Sequence, residues 1–169
     1  MRLYTYLCAR LGLYRQLRCL RRALASPARE EQAAAIQGLV SFQDIRGLRR
    51  ALRTTDPWVR REASKALTQL QGAAAARWLV RALNDEDRTV AHAAAECLER
   101  IAEPQLLWAL RRCVGSEDWM VRYFGAMGLG RLGTPDLRPL LERLQRDEHS
   151  WVQGAASSAL RRLIQPPAG

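Results

Sequence analysis

Arginine and tryptophan side chains recur at regular intervals in this sequence, and together they could bind an anionic ligand. Arg50, Arg81, Arg112 and Arg143 stand 31 residues apart. Guanidinium groups donate paired hydrogen bonds to carboxylates and phosphates, and aromatic faces stack on bases. Further arginines and two tryptophans surround this row. The candidate partner-binding set is Arg46, Arg49, Arg50, Arg53, Arg77, Trp78, Arg81, Trp108, Arg111, Arg112 and Arg143.

A plainer explanation of these arginines is that they form the solvated faces of helices. Acidic runs at 84–87, 116–118 and 146–148 lie close in sequence and could pair with some of them. The regular spacing favours a linear surface that holds one extended acidic ligand. The sequence alone leaves both interpretations open.

Catalytic and metal chemistry find little support in the residue pattern. There is no nucleophile elbow, no phosphate-binding loop and no histidine beside a plausible nucleophile. The two histidines and four cysteines show no metal-ligand spacing. We therefore predict no catalytic residue, no metal and no cofactor. Cys97 and Cys113 are expected to be reduced core thiols, although they could also face one another across a helical hairpin.

The net charge of +10 predicts attraction to anions. Residues 1–55 hold 11 arginines against three acids, a balance of +8, and the remaining residues contribute +2. A GC-rich coding sequence would produce the same arginine bias.

No stretch resembles the roughly 20 apolar residues that cross a bilayer. Arg2, Arg10 and Arg15 interrupt any signal peptide, so we expect a cytoplasmic protein, with possible contact at the inner membrane face.

The elements that must position these side chains follow the same 31-residue interval. Each unit contains an apolar stripe at helical spacing, which predicts an amphipathic helix, here called helix A. An aspartate precedes three of these helices, where its carboxylate can cap free backbone N–H groups; Pro57 fits a first helical turn. The repeating positions are Val59, Val90, Val121 and Val152; Ala63, Ala94, Gly125 and Ala156; Leu67, Leu98, Leu129 and Leu160; and the caps Asp56, Asp87 and Asp118.

A second stripe, helix B, follows helix A in each unit. Leu48, Leu79, Leu110 and Leu141 mark it, and Glu103 and Thr134 are predicted to cap two B helices that begin at proline. One hairpin of this length cannot bury both stripes, so hairpins must stack. The sequence therefore predicts an all-α protein, an α-solenoid. Its organisation is a basic N-terminal helical cap at 1–25, a repeat domain at 26–164 whose first helix starts at Ser26–Pro27, and a tail at 165–169.

The N-terminal cap is a separate candidate for contact with a partner or an anionic membrane. We predict two helices hinged near Gly12, the second with leucines on one side and arginines on the other. The alternative is a first B helix packed on the next hairpin. The contact residues are Tyr4, Tyr6, Leu7, Arg15, Arg18 and Arg22.

The segments "DPWVRREASKALTQL" and "DWMVRYFGAMGLGRLG" followed by "TPDLRPLLERL" resemble short HEAT-like repeats of phycobilin lyase subunits and bacterial adaptor proteins. This resemblance covers residues 26–164 and implies that the B helices line the concave surface. It also implies that Arg60 and Arg122 pair with turn aspartates of neighbouring repeats. Trp58 and Trp151 are expected to cover seams between A helices, and Gly125 and Gly128 to permit close helix contact.

Together these features predict a non-enzymatic scaffold or adaptor that binds an acidic protein segment through a concave Arg/Trp surface. One alternative is a nucleic-acid-binding solenoid similar to the HEAT-like alkylpurine DNA glycosylases. No acid lies between Trp78 and Trp108 on the B helices, which counts against such a glycosylase. The other alternative is a subunit similar to the phycobilin lyases.

Overall fold

All regular secondary structure among the residues that the structure describes is helical. The computed structural model describes residues 2–70 and 73–164, and the side chains of residues 12, 14–70 and 75–163. These residues contain ten α-helices and no strand. The helices are α1 (Arg2–Ala23), α2 (Arg29–Ser41), α3 (Ile45–Ala51), α4 (Pro57–Leu67), α5 (Ala73–Ala82), α6 (Arg88–Arg100), α7 (Leu107–Val114), α8 (Trp119–Leu132), α9 (Arg138–Leu144) and α10 (Ser150–Ile164). Short 3-10 turns at Pro104–Leu106 and Pro135–Leu137 precede α7 and α9.

The chain divides into two compact units, Met1–Leu70 and Gln71–Gly169. In the first unit α2 and α3 form a hairpin, and both α1 and α4 pack on that pair. In the second unit α6 with α7 and α8 with α9 form hairpins, α5 packs on the former, and α10 packs on the latter. Helix α8 also packs on α6 and α7, so the hairpins stack. The predicted all-α solenoid is confirmed.

The predicted hinge at Gly12 is wrong, because α1 runs through this residue without a break. A glycine inside a helix costs only about 1 kcal/mol relative to alanine, and strong helix formers flank this one. The last turn of α1 packs on the first hairpin: Leu24 is buried, and Leu20 lies against Gly38. Helix α1 is therefore tied to the first repeat, as the alternative interpretation of this segment proposed.

The repeating apolar positions form the core, as their spacing predicts. The four valines of the A helices are fully buried, and so are the four leucines that mark the B helices. Ala63, Ala94 and Ala156 are also buried, and Gly125 holds their position in α8. A Cβ atom on Gly125 would lie 2.8 Å from the Cβ of Cys113, so only glycine allows this helix approach. Close packing at Gly125 is confirmed.

The three aspartates cap their helices as predicted. The carboxylate of Asp56 accepts a hydrogen bond from the backbone N–H of Trp58 at 3.0 Å, and Asp87 and Asp118 do the same for the second residue of their helices. Two other predicted caps are wrong. Glu103 and Thr134 precede the 3-10 turns but form no capping hydrogen bond.

Helix α2 starts at Arg29 rather than at Pro27. The hydroxyl of Ser26 is bound locally instead of capping a helix, because it accepts from the N–H of Ala28 and donates to Glu31.

Candidate partner-binding surface on the B helices

The predicted arginine row lies at the ends of the B helices α3, α5, α7 and α9. Arg50, Arg81, Arg112 and Arg143 each fall in the last turn of their helix, and all four are exposed. The C-terminal end of a helix carries partial negative charge, which favours cations there. Helix electrostatics thus gives one physical reason for the 31-residue spacing. Arg50 belongs to the first unit and the other three to the second, so a continuous ladder stays a prediction.

The arginines of the second unit differ in their neighbours. The guanidinium of Arg81 lies over the ring of Trp78, 4.5 Å from its centroid, in a cation–π contact. Within the described part of the chain, neither Arg112 nor Arg143 has a carboxylate partner. Trp108 is 41% exposed on α7. The acidic runs therefore leave Arg112 and Arg143 available to an external anion.

A polar groove of about 690 Å³ lies between the C-terminal ends of α5 and α7. Arg111 and Arg112 line it from α7, and Arg88 adds a third cation from the first turn of α6. Four acids of the two neighbouring turns also line it: Asp85, Glu86, Glu117 and Asp118. The groove thus presents both charges, and Arg88 is a residue that the sequence did not single out.

The turn carboxylates bind an arginine of a helix A, as the resemblance predicted for Arg122. This side chain is 8% exposed and donates to both carboxylate oxygens of Asp147, at 2.8 and 2.9 Å. It also donates to Glu148 and to the carbonyl oxygens of Ser116 and Glu117. The hydrogen bonds from Arg122 hold the pKa of Asp147 below its ordinary value, although burial opposes this shift. Arg122 thereby fastens two successive turns of the second unit.

Arg60 and Gln153 bind their turns at the same relative position. Arg60 donates to the carbonyls of Thr54 and Thr55, both at 3.0 Å, and Gln153 donates to the carbonyl of Asp147. The glutamine that replaces arginine at this position of α10 therefore keeps a hydrogen-bond donor six residues after the turn carbonyl. This role is structural.

His92 connects two repeats of the second unit through the capping residue Asp118. Its Nε2 lies 2.9 Å from the carboxylate of Asp118. Burial would raise the pKa of Asp118, but the hydrogen bonds from His92 and from two backbone N–H groups outweigh burial and lower it. One carboxylate therefore both caps α8 and holds a neighbouring helix. Within the described residues, no group of His, Cys, Asp and Glu could hold a metal ion.

The candidate residues of the first unit lie on α1, on α3 and just after α3. Arg46 and Arg49 are exposed on α3, and Arg53 is exposed just after it. On α1, Arg15, Arg18 and Arg22 are exposed. The neighbouring Arg21, which the sequence did not single out, donates to both carboxylate oxygens of the buried Asp44 at 2.8 Å.

The predicted contacts at Tyr4, Tyr6 and Leu7 lie outside the described side chains. No described helix is long and apolar enough to span a bilayer. Contact of α1 with a partner or a lipid surface stays a prediction.

Two stretches of the chain, residues 17–98 and 76–161, match the family model of HEAT repeats. The chain belongs to the HEAT-repeat family. The match starts inside α1, which agrees with the packing of that helix on the first hairpin. The repeats of the first unit and of the second are thus variants of one HEAT hairpin. No curated protein matches the chain significantly.

Several solved structures share this HEAT-repeat fold. A subunit in the complex of CpcE and CpcF of phycocyanin lyase from Nostoc sp. PCC7120 is 23% identical, with a TM-score of 0.64, over 89% of this chain and 66% of that subunit. Human deoxyhypusine hydroxylase is 21% identical, with a TM-score of 0.63, over 88% of this chain and 62% of the hydroxylase. A designed armadillo repeat protein in complex with the peptide (KR)4 is 19% identical, with a TM-score of 0.55, over 85% of this chain and 80% of the designed protein. At these identities the likeness concerns the fold.

Proposed function

We propose that this HEAT-repeat protein is a non-enzymatic scaffold that binds an acidic segment of another protein through its B helices. The observation that carries the proposal is the pair Arg112 and Arg143, whose exposed guanidiniums have no carboxylate partner in the described part of the chain. Arg111 precedes Arg112 on α7 and lines the same groove, and the exposed ring of Trp108 supplies an aromatic face. Arginine and tryptophan are enriched among residues that dominate binding energy at protein interfaces.

The charges of the groove favour a protein segment over a nucleic acid. Glu86 and Glu117 line the groove together with Arg111 and Arg112. Carboxylates repel a phosphate backbone, whereas a protein segment can carry acidic side chains where the arginines lie and uncharged ones elsewhere. The net charge of +10 still makes nucleic acid the second candidate.

The solved relatives support partner binding as a use of this fold, because CpcE is found with CpcF and the armadillo protein is found with a basic peptide. The hydroxylase has the same fold, and a fold does not dictate a function. The prediction of an acidic ligand therefore depends on the arginines of this chain and not on its relatives.

Charge reversal on the B helices tests the proposal. In one variant Arg112 and Arg143, the two arginines that carry the proposal, become Glu; in the matched control Arg100 on α6 and Arg138 at the other end of α9, both exposed and in the same unit, become Glu. Both variants change the charge equally. Each protein is used to purify partners from the native host, with and without nuclease, and these are identified by mass spectrometry.

We expect wild type and control to retain the same protein partner, the B-helix variant to lose it, and nuclease to have no effect. Equal capture by both variants would contradict the B-helix surface. Loss of capture after nuclease treatment would favour the nucleic-acid alternative.

A further inference from the structure

A second groove, separate from the B-helix surface, lies between the A helices α8 and α10. Its volume is about 510 Å³, within the roughly 300–1,000 Å³ of known ligand sites. Tyr123, Met127 and Gly130 line it from α8, and Trp151, Gly154 and Ser158 are among the α10 residues that line it. Its surface is mostly apolar.

The corresponding groove of the first unit, between α2 and α4, is nearly filled. Its volume is about 90 Å³, and it contains Trp58, three repeats before Trp151. Glu62 and Lys65 line it and form a 3.0 Å ion pair. The side chain of Arg29 lies over the ring of Trp58, 4.7 Å from its centroid.

Small residues open the groove of the second unit. Ala155 and Ser158 occupy the repeat positions of Glu62 and Lys65. Helices α8 and α10 nevertheless pack closely, because a Cβ atom on Gly130 would lie 2.7 Å from the Cβ of Ala159. A wide separation of the two helices is therefore not what opens the groove. The groove is therefore closed at its floor and open above.

Trp151 is the exception to the prediction that this repeat position covers a seam. Its side chain is 64% exposed, whereas that of Trp58 is half-buried. The ring of Tyr123 lies edge-on to it, with the centroids 6.5 Å apart and the planes at 88°. An indole fixed in this way at the edge of an apolar groove resembles the aromatic anchors of protein interfaces.

The open end of the groove is cationic. Arg161 and Arg162 line it from the last turn of α10, and no acid lines it among the described residues. Among the described residues, Arg161 donates to the hydroxyl of Ser158, at 3.0 Å. Neither arginine has a carboxylate partner within the described chain. An occupant that matches this charge carries acidic side chains at one end.

We infer that the α8–α10 groove binds an amphipathic helix of a partner protein, with an apolar side chain against Trp151 and acidic side chains paired with Arg161 and Arg162. Both walls are helices, so they offer no row of free backbone groups to an extended segment. A helix satisfies its own backbone hydrogen bonds, and the small residues of α10 let it approach closely.

A library of helical peptides displayed on phage is selected on the full-length protein. The enriched peptides are labelled with fluorescein and measured by fluorescence anisotropy. We expect peptides with apolar residues at i, i+4 and i+7 and a cluster of Glu or Asp at one end. The double variant Ala155→Glu with Ser158→Lys places the side chains of the first unit in this groove and should weaken binding by at least about thirtyfold, the ratio for a 2 kcal/mol hot spot.

Trp151→Ala removes an exposed ring, so this variant should fold normally. It should bind the peptides more weakly than wild type by a similar factor, about thirtyfold. The B-helix variant, with Arg112 and Arg143 changed to Glu, is the matched control and should bind these peptides unchanged. That control separates this proposal from the B-helix function, because each can fail while the other stands. Selection of basic peptides, equal binding by the groove-filling variant and wild type, or no enrichment at all would overturn the inference.

Discussion

The network of Arg122 allows a quantitative prediction about stability. Replacing Arg122 with Met removes five hydrogen bonds and leaves the carboxylate of Asp147, 8% exposed, with the backbone N–H of His149 as its remaining hydrogen-bond donor. Removing one partner of a buried ion pair costs about 3–5 kcal/mol. The bond to Glu148 adds little, because that side chain is 81% exposed. We therefore expect a loss near the lower end, about 3 kcal/mol, or roughly 6–12 °C in Tm.

The pH dependence of this loss identifies its cause. The pKa of Asp147 is lowered in the folded protein, so its contribution to stability is complete above the unfolded-state pKa of about 3.9 and disappears as the pH falls through the folded-state value. The difference between wild type and R122M should be full at pH 6–7 and shrink below about pH 4. Urea unfolding followed by tryptophan fluorescence at several pH values measures it.

Two further variants test the explanation. Changing Asp147 to Asn in the R122M background removes the uncompensated charge, so the double variant should recover part of the loss. Arg100→Met alters an exposed arginine and should change the unfolding free energy by less than about 0.5 kcal/mol. A loss below about 1 kcal/mol in R122M, the range of exposed ion pairs, would refute the argument for a buried network.

Three further predictions concern glycines and cysteines. Gly133 ends α8 with φ 64°, so Gly133→Ala should lower the free energy of unfolding by about 1–2 kcal/mol. A Cβ atom on Gly154 would meet open space, so Gly154→Ala should raise the free energy of unfolding by about 0.5–1 kcal/mol. Thermal unfolding of the two variants and wild type measures both effects. Gly125→Ala should cost about 1–3 kcal/mol in the same assay, because its Cβ would overlap that of Cys113. Burial raises the pKa of Cys113 to about 12, so iodoacetamide at pH 8 should label the exposed Cys19 and spare Cys113, as peptide mass spectrometry would show; equal labelling would contradict this.

Much of the fold could be predicted from the sequence because each repeat must bury the same rows of apolar side chains. The valine and leucine rows had to face the core, since a hairpin alone cannot cover them. The aspartate caps also depend on neighbours two or three residues away, which the sequence shows directly. The helix boundaries predicted at Ser26 and Gly12 were wrong. The Ser26 hydroxyl forms a local hydrogen bond with the N–H of Ala28 instead of capping a helix, and α1 accommodates Gly12 without a break.

The candidate sites depended on contacts between repeats. Arg112, Arg122 and Arg143 all belong to a regular or family pattern, yet Arg122 is bound to carboxylates and the other two have none among the described residues. Trp58 and Trp151 share one repeat position, but only Trp151 borders an open groove.

By itself, the sequence determined the apolar stripes, the three aspartate caps and the family, because these depend on side chains close together in the chain. Only the tertiary structure decided which charges are neutralised and which grooves are open. Those properties depend on the residue that an adjacent helix places opposite, at distances of 25 to 27 residues along the chain in the ion pairs of Arg122, His92 and Arg29. The repeat register predicts that each helix has an adjacent helix of the next repeat. The side chains of those two helices determine whether a charge is neutralised and whether the groove between the helices is open.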